Sequence, residues 1–257
     1  MKTITNHNRT PKLTLIGAGP GDPDLISVKG VKALQNARVV LYDALVAEQL
    51  LDYAPNAIKV YVGKRANKHT YPQEHIQKLI VQYALEYGHV VRLKGGDSFV
   101  FGRGTEEINF VQLYGIETEV VPGISSAFSV PAAVGIPATE RGVAEGVWVI
   151  TGTTTQGKPS QDIALAAQSN STVVILMGVK NLPHIVEAYL QQGKEKLPVA
   201  VIQNGTTPAQ RHVVGTVDNI VSLVKEHKIG SPAIIVVGEV VKNAQKLNTV
   251  VHQLNYN

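Results

Sequence analysis

Short apolar runs recur along this chain and alternate with segments of helical spacing, and that alternation constrains the fold more than any other feature. Lys12–Ile16, Arg38–Tyr42, Lys59–Val62, His89–Leu93 and Glu119–Val121 read as strands. Between them, Ser27–Asn36 sets Val28, Val31, Ala33 and Leu34 at helical spacing behind Ser27, a residue type suited to capping a helix. Gln73–Tyr87 puts Ile76, Leu79, Ile80 and Tyr83 on one helical face ahead of Gly88, and Thr105–Tyr114 predicts a further helix. The pattern resumes downstream, with strands at Val147–Ile150, Thr172–Met177, Val199–Ile202 and Ala233–Val237 and helices at Leu182–Gln191 and Asp218–Lys225. Alternation of this kind predicts an α/β fold built on mostly parallel sheet. Val121–Ser126 reads as a hinge, dividing the chain into an N-terminal α/β domain, 1–122, and a C-terminal α/β domain, 123–257. A length of 257 residues suits two domains of modest size at roughly 150 residues per domain.

Composition removes several alternatives. Hydrophobic residues make up 44% and charged residues 17%, so the chain can bury a core and is not a disordered polymer. No apolar run approaches the roughly 18 residues that a membrane-spanning helix needs, so no membrane association is expected. Met1–Lys12 is polar and lacks the apolar stretch of a secretory signal. The absence of cysteine excludes disulfides, thiolate metal sites and a thiol nucleophile. A cytoplasmic protein is expected. The net charge is +4, and residues on either side of position 123 share it evenly, so no basic tail marks a nucleic-acid ligand. Aromatics at 5% leave little for base stacking.

Two glycine loops carry the chemical information. Gly17-Ala18-Gly19-Pro20-Gly21-Asp22-Pro23 leaves a strand but does not form a dinucleotide fingerprint, since Asp22 stands where the last glycine belongs. Pro20 and Pro23 also lack the N–H groups that would cradle a pyrophosphate. Gly157-Lys158-Pro159 is not a phosphate-binding P-loop, and Gly123-Ile124-Ser125-Ser126-Ala127 lacks the second glycine of a nucleophile elbow. The eight histidines are scattered without metal-ligand spacing, so no metal site is expected. The second loop, Arg92-Leu93-Lys94-Gly95-Gly96-Asp97-Ser98-Phe99-Val100-Phe101-Gly102-Arg103-Gly104, combines paired glycines, an acid and three cations. The glycines let backbone approach a ligand closely, and Asp97 can accept hydrogen bonds or pair with a cation.

These loops, with Tyr42-Asp43-Ala44-Leu45-Val46, Gly63-Lys64-Arg65, Val121–Ala127 and Ser231–Val241, occur in one order from about residue 12 to residue 242. Together they resemble the tetrapyrrole (precorrin) methylase family, and most specifically its branch acting on uroporphyrinogen III. The resemblance implies a class III methyltransferase fold, in which two α/β domains meet at a cleft holding S-adenosylmethionine, released as S-adenosylhomocysteine. It implies a homodimer that methylates C2 and C7 of the tetrapyrrole, giving precorrin-2 through precorrin-1 on the way to siroheme or cobalamin. Carried over position by position, Pro20, Gly95, Gly96, Asp97, Val100, Ser125, Ser126, Met177, Thr206 and Ala233 would line the cofactor site. Asp43, Leu45, Arg92 and Arg141 would serve catalysis, and Lys64, Arg65, Lys94 and Arg103 would hold the substrate.

Four positions depart from the common pattern of that family: Ser98 where proline is usual, Ala133 where tyrosine is common, and Glu140 and Thr153 where histidine is usual. Ser98 is expected to loosen its loop, and Glu140 to bring negative charge near the substrate. The chemistry fits an absence of triads and metal ligands, since a sulfonium methyl is already activated and a pyrrole carbon is the nucleophile. The protein must align them and exclude water. Eight substrate carboxylates call for arginine forks, for which Arg65, Arg92, Arg103 and Arg141 are the candidates. A methylase of a later precorrin and a non-catalytic cofactor-binding relative are the alternatives.

Overall fold

The computed structural model describes residues 10–63 and 72–244. The chain divides into two units, Met1–Ser125 and Ser126–Asn257.

The first unit runs β1 (Lys12–Gly17), α1 (Val28–Gln35), β2 (Val39–Tyr42), β3 (Ile58–Tyr61), α2 (Gln73–Tyr87), β4 (His89–Lys94), α3 (Gly104–Gln112) and β5 (Glu117–Val121). Its five strands are all parallel, in the order β3-β2-β4-β1-β5. Ser27 caps α1, its Oγ accepting from Gly30 N at 3.0 Å. Both faces of the sheet are covered. Leu13, Val39, Leu41 and Val90 pack with Ile80 and Ala84 of α2 and Val111 of α3, while Ile16, Val40, Val91 and Leu93 pack with Leu34 of α1 and with Leu50. Burial on two faces explains the apolar stretches of the inner strands β1, β2 and β4, whereas the outer strands β3 and β5 are part-exposed and more mixed.

The second unit contains α4 (Ser126–Ala133), β6 (Val147–Thr151), α5 (Asp162–Gln168), β7 (Thr172–Leu176), α6 (Leu182–Leu190), β8 (Pro198–Gln203), β9 (Arg211–Thr216), α7 (Ile220–Glu226) and β10 (Ala233–Val237). Its sheet has the order β6-β7-β10-β8-β9. The expectation of mostly parallel pairing fails here. Only β6 and β7 run parallel; β10 lies antiparallel to both β7 and β8, and β8 antiparallel to β9. The cause is β9, which the sequence reading missed. The short loop 204–210 folds β9 back beside β8, and β10 then enters between β7 and β8. One core unites Ile163, Ile175, Leu182, Ile185, Tyr189, Val201, Val213, Ile220 and Ile235. Among the described residues no helix is long and apolar enough to cross a membrane.

Candidate active site

A parallel sheet delivers the loops that follow its strands to one edge, and in the first unit that edge gathers the loops after β1, β2, β4 and β5. Gly17, Gly96 and Gly123 meet there backbone to backbone. A methyl on Gly17 would stand 2.5 Å from Gly123 Cα and 2.6 Å from Gly96 O, so only glycine permits the approach. Ala18 N donates to Lys94 O at 2.7 Å, and Gly19 and Gly96 exchange backbone bonds of 2.6 and 3.2 Å. Asp97 fastens the assembly: its Oδ1 accepts from Phe99 N at 2.8 Å and its Oδ2 from Gly123 N at 2.9 Å. Each oxygen retains a further lone pair for a ligand cation. The β2 loop closes the group, since a methyl on Gly95 would lie 2.9 Å from Leu45 Cβ. Pro20, Asp43, Leu45, Gly95, Gly96, Asp97, Val100 and Ser125 therefore all follow strands of this one edge.

Beneath Asp43 lies a buried set of charges. Arg92, 1% exposed, donates from Nη2 to Asp43 Oδ1 at 2.6 Å and from Nη1 to Leu93 O at 3.2 Å, and its Nε lies 3.4 Å from Glu107 Oε1. Lys94 Nζ lies 3.0 Å from the same Glu107 oxygen and 3.8 Å from Asp43 Oδ2. Gln73 Nε2 adds a 2.9 Å bond to Glu107 Oε1, while Glu107 Oε2 has no partner among the described residues. Burial, together with the neighbouring Arg92 charge, pushes the Lys94 ammonium pKa down, against the pull of Glu107 and Asp43. Arg92 thus pairs with Asp43 and Glu107, while Asp97 is held by backbone N–H groups. Arg92 and Lys94 are both enclosed. Glu107 escaped the sequence reading. Its signal was its place on the i, i+3, i+7 stripe with Gly104 and Val111, the buried side of α3.

The second unit presents its own edge. The register sets Ala233 of β10 opposite Gln203 of β8, and Ile234 opposite Leu176 of β7. Met177, Ala233 and the loop carrying Thr206 are thereby brought to the same end of the sheet. Ser126 begins α4, and Val130 of that helix lies where a side chain on Gly205 would have to go. Met177 and Thr206 both take left-handed backbone angles, φ 55° and 66°, uncommon for residues with side chains. Gln210 Oε1 accepts from Thr206 N at 2.7 Å and holds the second of these turns.

The remaining cations differ in availability. Arg103 is exposed, and its fork grips Glu106 through Nε and Nη2 at 2.8 and 2.6 Å. That contact raises the Arg103 pKa and lowers that of Glu106. Arg141 is exposed beside Glu140, whose Oε2 accepts from Asn243 Nδ2 at 2.6 Å. Lys64 and Arg65 lie outside the described residues. Ser98 is 1% exposed, and its carbonyl accepts from Gly104 N at 3.2 Å, so the position that departs from proline is a closure point of the loop.

Two units of this topology, with glycine loops gathered at one sheet edge, define the tetrapyrrole methylase class. Residues 12–221 match the family described as Tetrapyrrole (Corrin/Porphyrin) Methylases, and the chain belongs to that family. It is 48% identical over 235 residues to the uroporphyrinogen-III C-methyltransferase of Methanocaldococcus jannaschii, covering 90% of this chain and 97% of the relative. A crystal structure of uroporphyrin-III C-methyl transferase from Thermus thermophilus complexed with S-adenyl homocysteine is 39% identical and superposes with a TM-score of 0.76, covering 90% of this chain and 99% of that one. A siroheme synthase of Acinetobacter baylyi is 43% identical over 91% of this chain, which spans only 51% of that protein.

Proposed function

We propose that this chain is a methyltransferase that uses S-adenosylmethionine to methylate uroporphyrinogen III at C2 and C7, producing precorrin-2 by way of precorrin-1. The observation that carries this reading is 48% identity to a uroporphyrinogen-III C-methyltransferase across nearly the full length of both chains. The loop edges fit the cofactor chemically. The Gly95–Asp97 segment offers close backbone and spare carboxylate lone pairs to an amino-acid end, and Met177, Thr206 and Ala233 offer a second set of contacts. When bound, S-adenosylmethionine supplies a methyl already activated by its sulfonium, and the chain's residues have to orient and shield it. Asp97 receives the cofactor's ammonium while staying bonded to Phe99 N and Gly123 N. Asp43 stands at the substrate side, fixed by the buried Arg92. The exposed Arg103 and Arg141, with Lys64 and Arg65, take substrate carboxylates; Arg103 must exchange Glu106 for one. The protein acts as a cytoplasmic homodimer in porphyrin and siroheme biosynthesis.

Incubation with uroporphyrinogen III and S-adenosylmethionine tests the reading. Precorrin-2 absorbance and a product two methyl groups heavier are expected, and unchanged substrate at saturating cofactor overturns it. Sedimentation at micromolar concentration tests the dimer, against a monomer of 27.6 kDa.

A further inference from the structure

Met177 combines two features that call for a cause. The residue is 53% exposed, and its backbone takes a left-handed conformation that a long side chain adopts only under constraint. The constraint comes from the neighbouring loop after β6. Thr153 Oγ1 donates to Met177 O at 2.6 Å. Asn181 Nδ2 donates in turn to Thr153 Oγ1 at 2.9 Å and to Gly152 O at 2.8 Å. The hydroxyl thus accepts from one partner and donates to the other, which fixes its hydrogen on the Met177 carbonyl. Backbone contact completes the clamp: Gly152 N donates to Leu176 O at 2.7 Å, and a methyl on Gly152 would overlap Gly178 Cα.

We infer that Thr153 and Asn181 are positioning residues that hold Met177 in its left-handed turn, presenting it to the methyl-donor cofactor. This rests on the reading of Met177 as a cofactor contact. The clamp gathers around one carbonyl at an exposed turn, on the rim of the core that Ile175 and Ile185 belong to. Its product is a fixed direction for one exposed side chain at the edge shared with Ala233 and the Thr206 loop.

The test uses the full chain and S-adenosylhomocysteine as the calorimetric ligand. Thr153→Val keeps the side-chain shape and removes the hydroxyl. It is expected to weaken the ligand by about 3–10-fold, the equivalent of one neutral hydrogen bond. The Michaelis constant for S-adenosylmethionine should rise while that for uroporphyrinogen III stays level, and Thr153→Ser should restore wild-type affinity. Asn181→Ala should act in the same direction and provides the measurement if Thr153→Val does not fold. Met177→Ala separates the two readings. If Met177→Ala weakens the ligand and Thr153→Val and Asn181→Ala do not, the clamp is overturned and Met177 remains a contact. If Met177→Ala leaves affinity unchanged, the cofactor reading of Met177 falls, and the inference with it. A loss of thermal stability in Thr153→Val with unaltered ligand affinity also overturns the inference.

Discussion

Arg92 carries a full charge in the interior of the first unit, where an unpaired ion costs several kcal/mol. Glu107 and Asp43 offset it from two sides, and Lys94 depends on the same two carboxylates. Truncating Glu107 leaves two buried cations to one half-buried acid. Glu107→Ala should therefore cost about 3–5 kcal/mol in urea unfolding, and Glu107→Gln less, because an amide oxygen still accepts from Lys94. The surface ion pairs behave differently. Hydrogen bonds from Lys12 and then Lys29 hold the Glu119 carboxyl at about 2, below its ordinary 4.5. A carboxylate whose pKa falls on folding stabilises the native state above the unfolded value and loses that contribution as pH drops through the folded one. The stability difference between wild type and Glu119→Gln should thus be constant above about pH 5 and shrink toward pH 2, as thermal melts across that range will show. Added salt should reduce the same difference, since the Glu119 side chain is 31% exposed. At this scale the sequence identified the loop residues Asp43, Gly95, Gly96 and Asp97 as a group through motif order. It hid Glu107, because one acid in a helix carries the same signature as a solvated charge until the buried face is known.

The central strands of the first sheet were legible because burial on both faces leaves apolar runs such as Val39–Leu41 and Val90–Val91, even where β4 also carries the buried Arg92 and Lys94. β9 was not, since Arg211–Thr216 mixes charged, polar and glycine residues at the margin of its sheet. α4 was also missed: Pro131 lies inside it, and its run of small and apolar residues has no polar face to set a helical period. The crossing of loops at the first sheet edge left only the bare presence of glycines in the sequence. Its mechanical test contrasts two substitutions. Gly17→Ala meets backbone atoms of Gly96 and Gly123, which cannot swing aside as a side-chain tip would. It should cost about 1–3 kcal/mol and abolish calorimetric binding of S-adenosylhomocysteine. Gly115→Ala meets nothing within 4 Å but sits at φ 69°. It should cost about 1–2 kcal/mol through the left-handed backbone alone and leave the ligand affinity intact.

For the molecule as a whole, the proposed arginine contacts make substrate choice a matter of charge. On the proposed contacts, each carboxylate missing from a substrate removes one charge-assisted hydrogen bond to an exposed guanidinium, on the order of 1 kcal/mol, and lets Arg103 keep Glu106. Coproporphyrinogen III, with four carboxylates fewer than uroporphyrinogen III, should be a very poor substrate. Arg103→Ala and Arg141→Ala should raise the Michaelis constant of the tetrapyrrole without altering that of S-adenosylmethionine. Higher salt should weaken the tetrapyrrole more than the cofactor. Equal turnover of the two porphyrinogens in steady-state kinetics would contradict this account. The strand order of the first sheet has a consequence for how the chain is made. β1 leaves the ribosome well before its neighbours β4 and β5, which begin at His89 and Glu117. At about 5–20 residues per second, Leu13, Leu15 and Ile16 wait roughly 4–14 s for the first of those partners to be synthesised. Throughout that interval the nascent chain carries an apolar strand with both edges open, and holding it apart from other chains is a task for the machinery of protein synthesis.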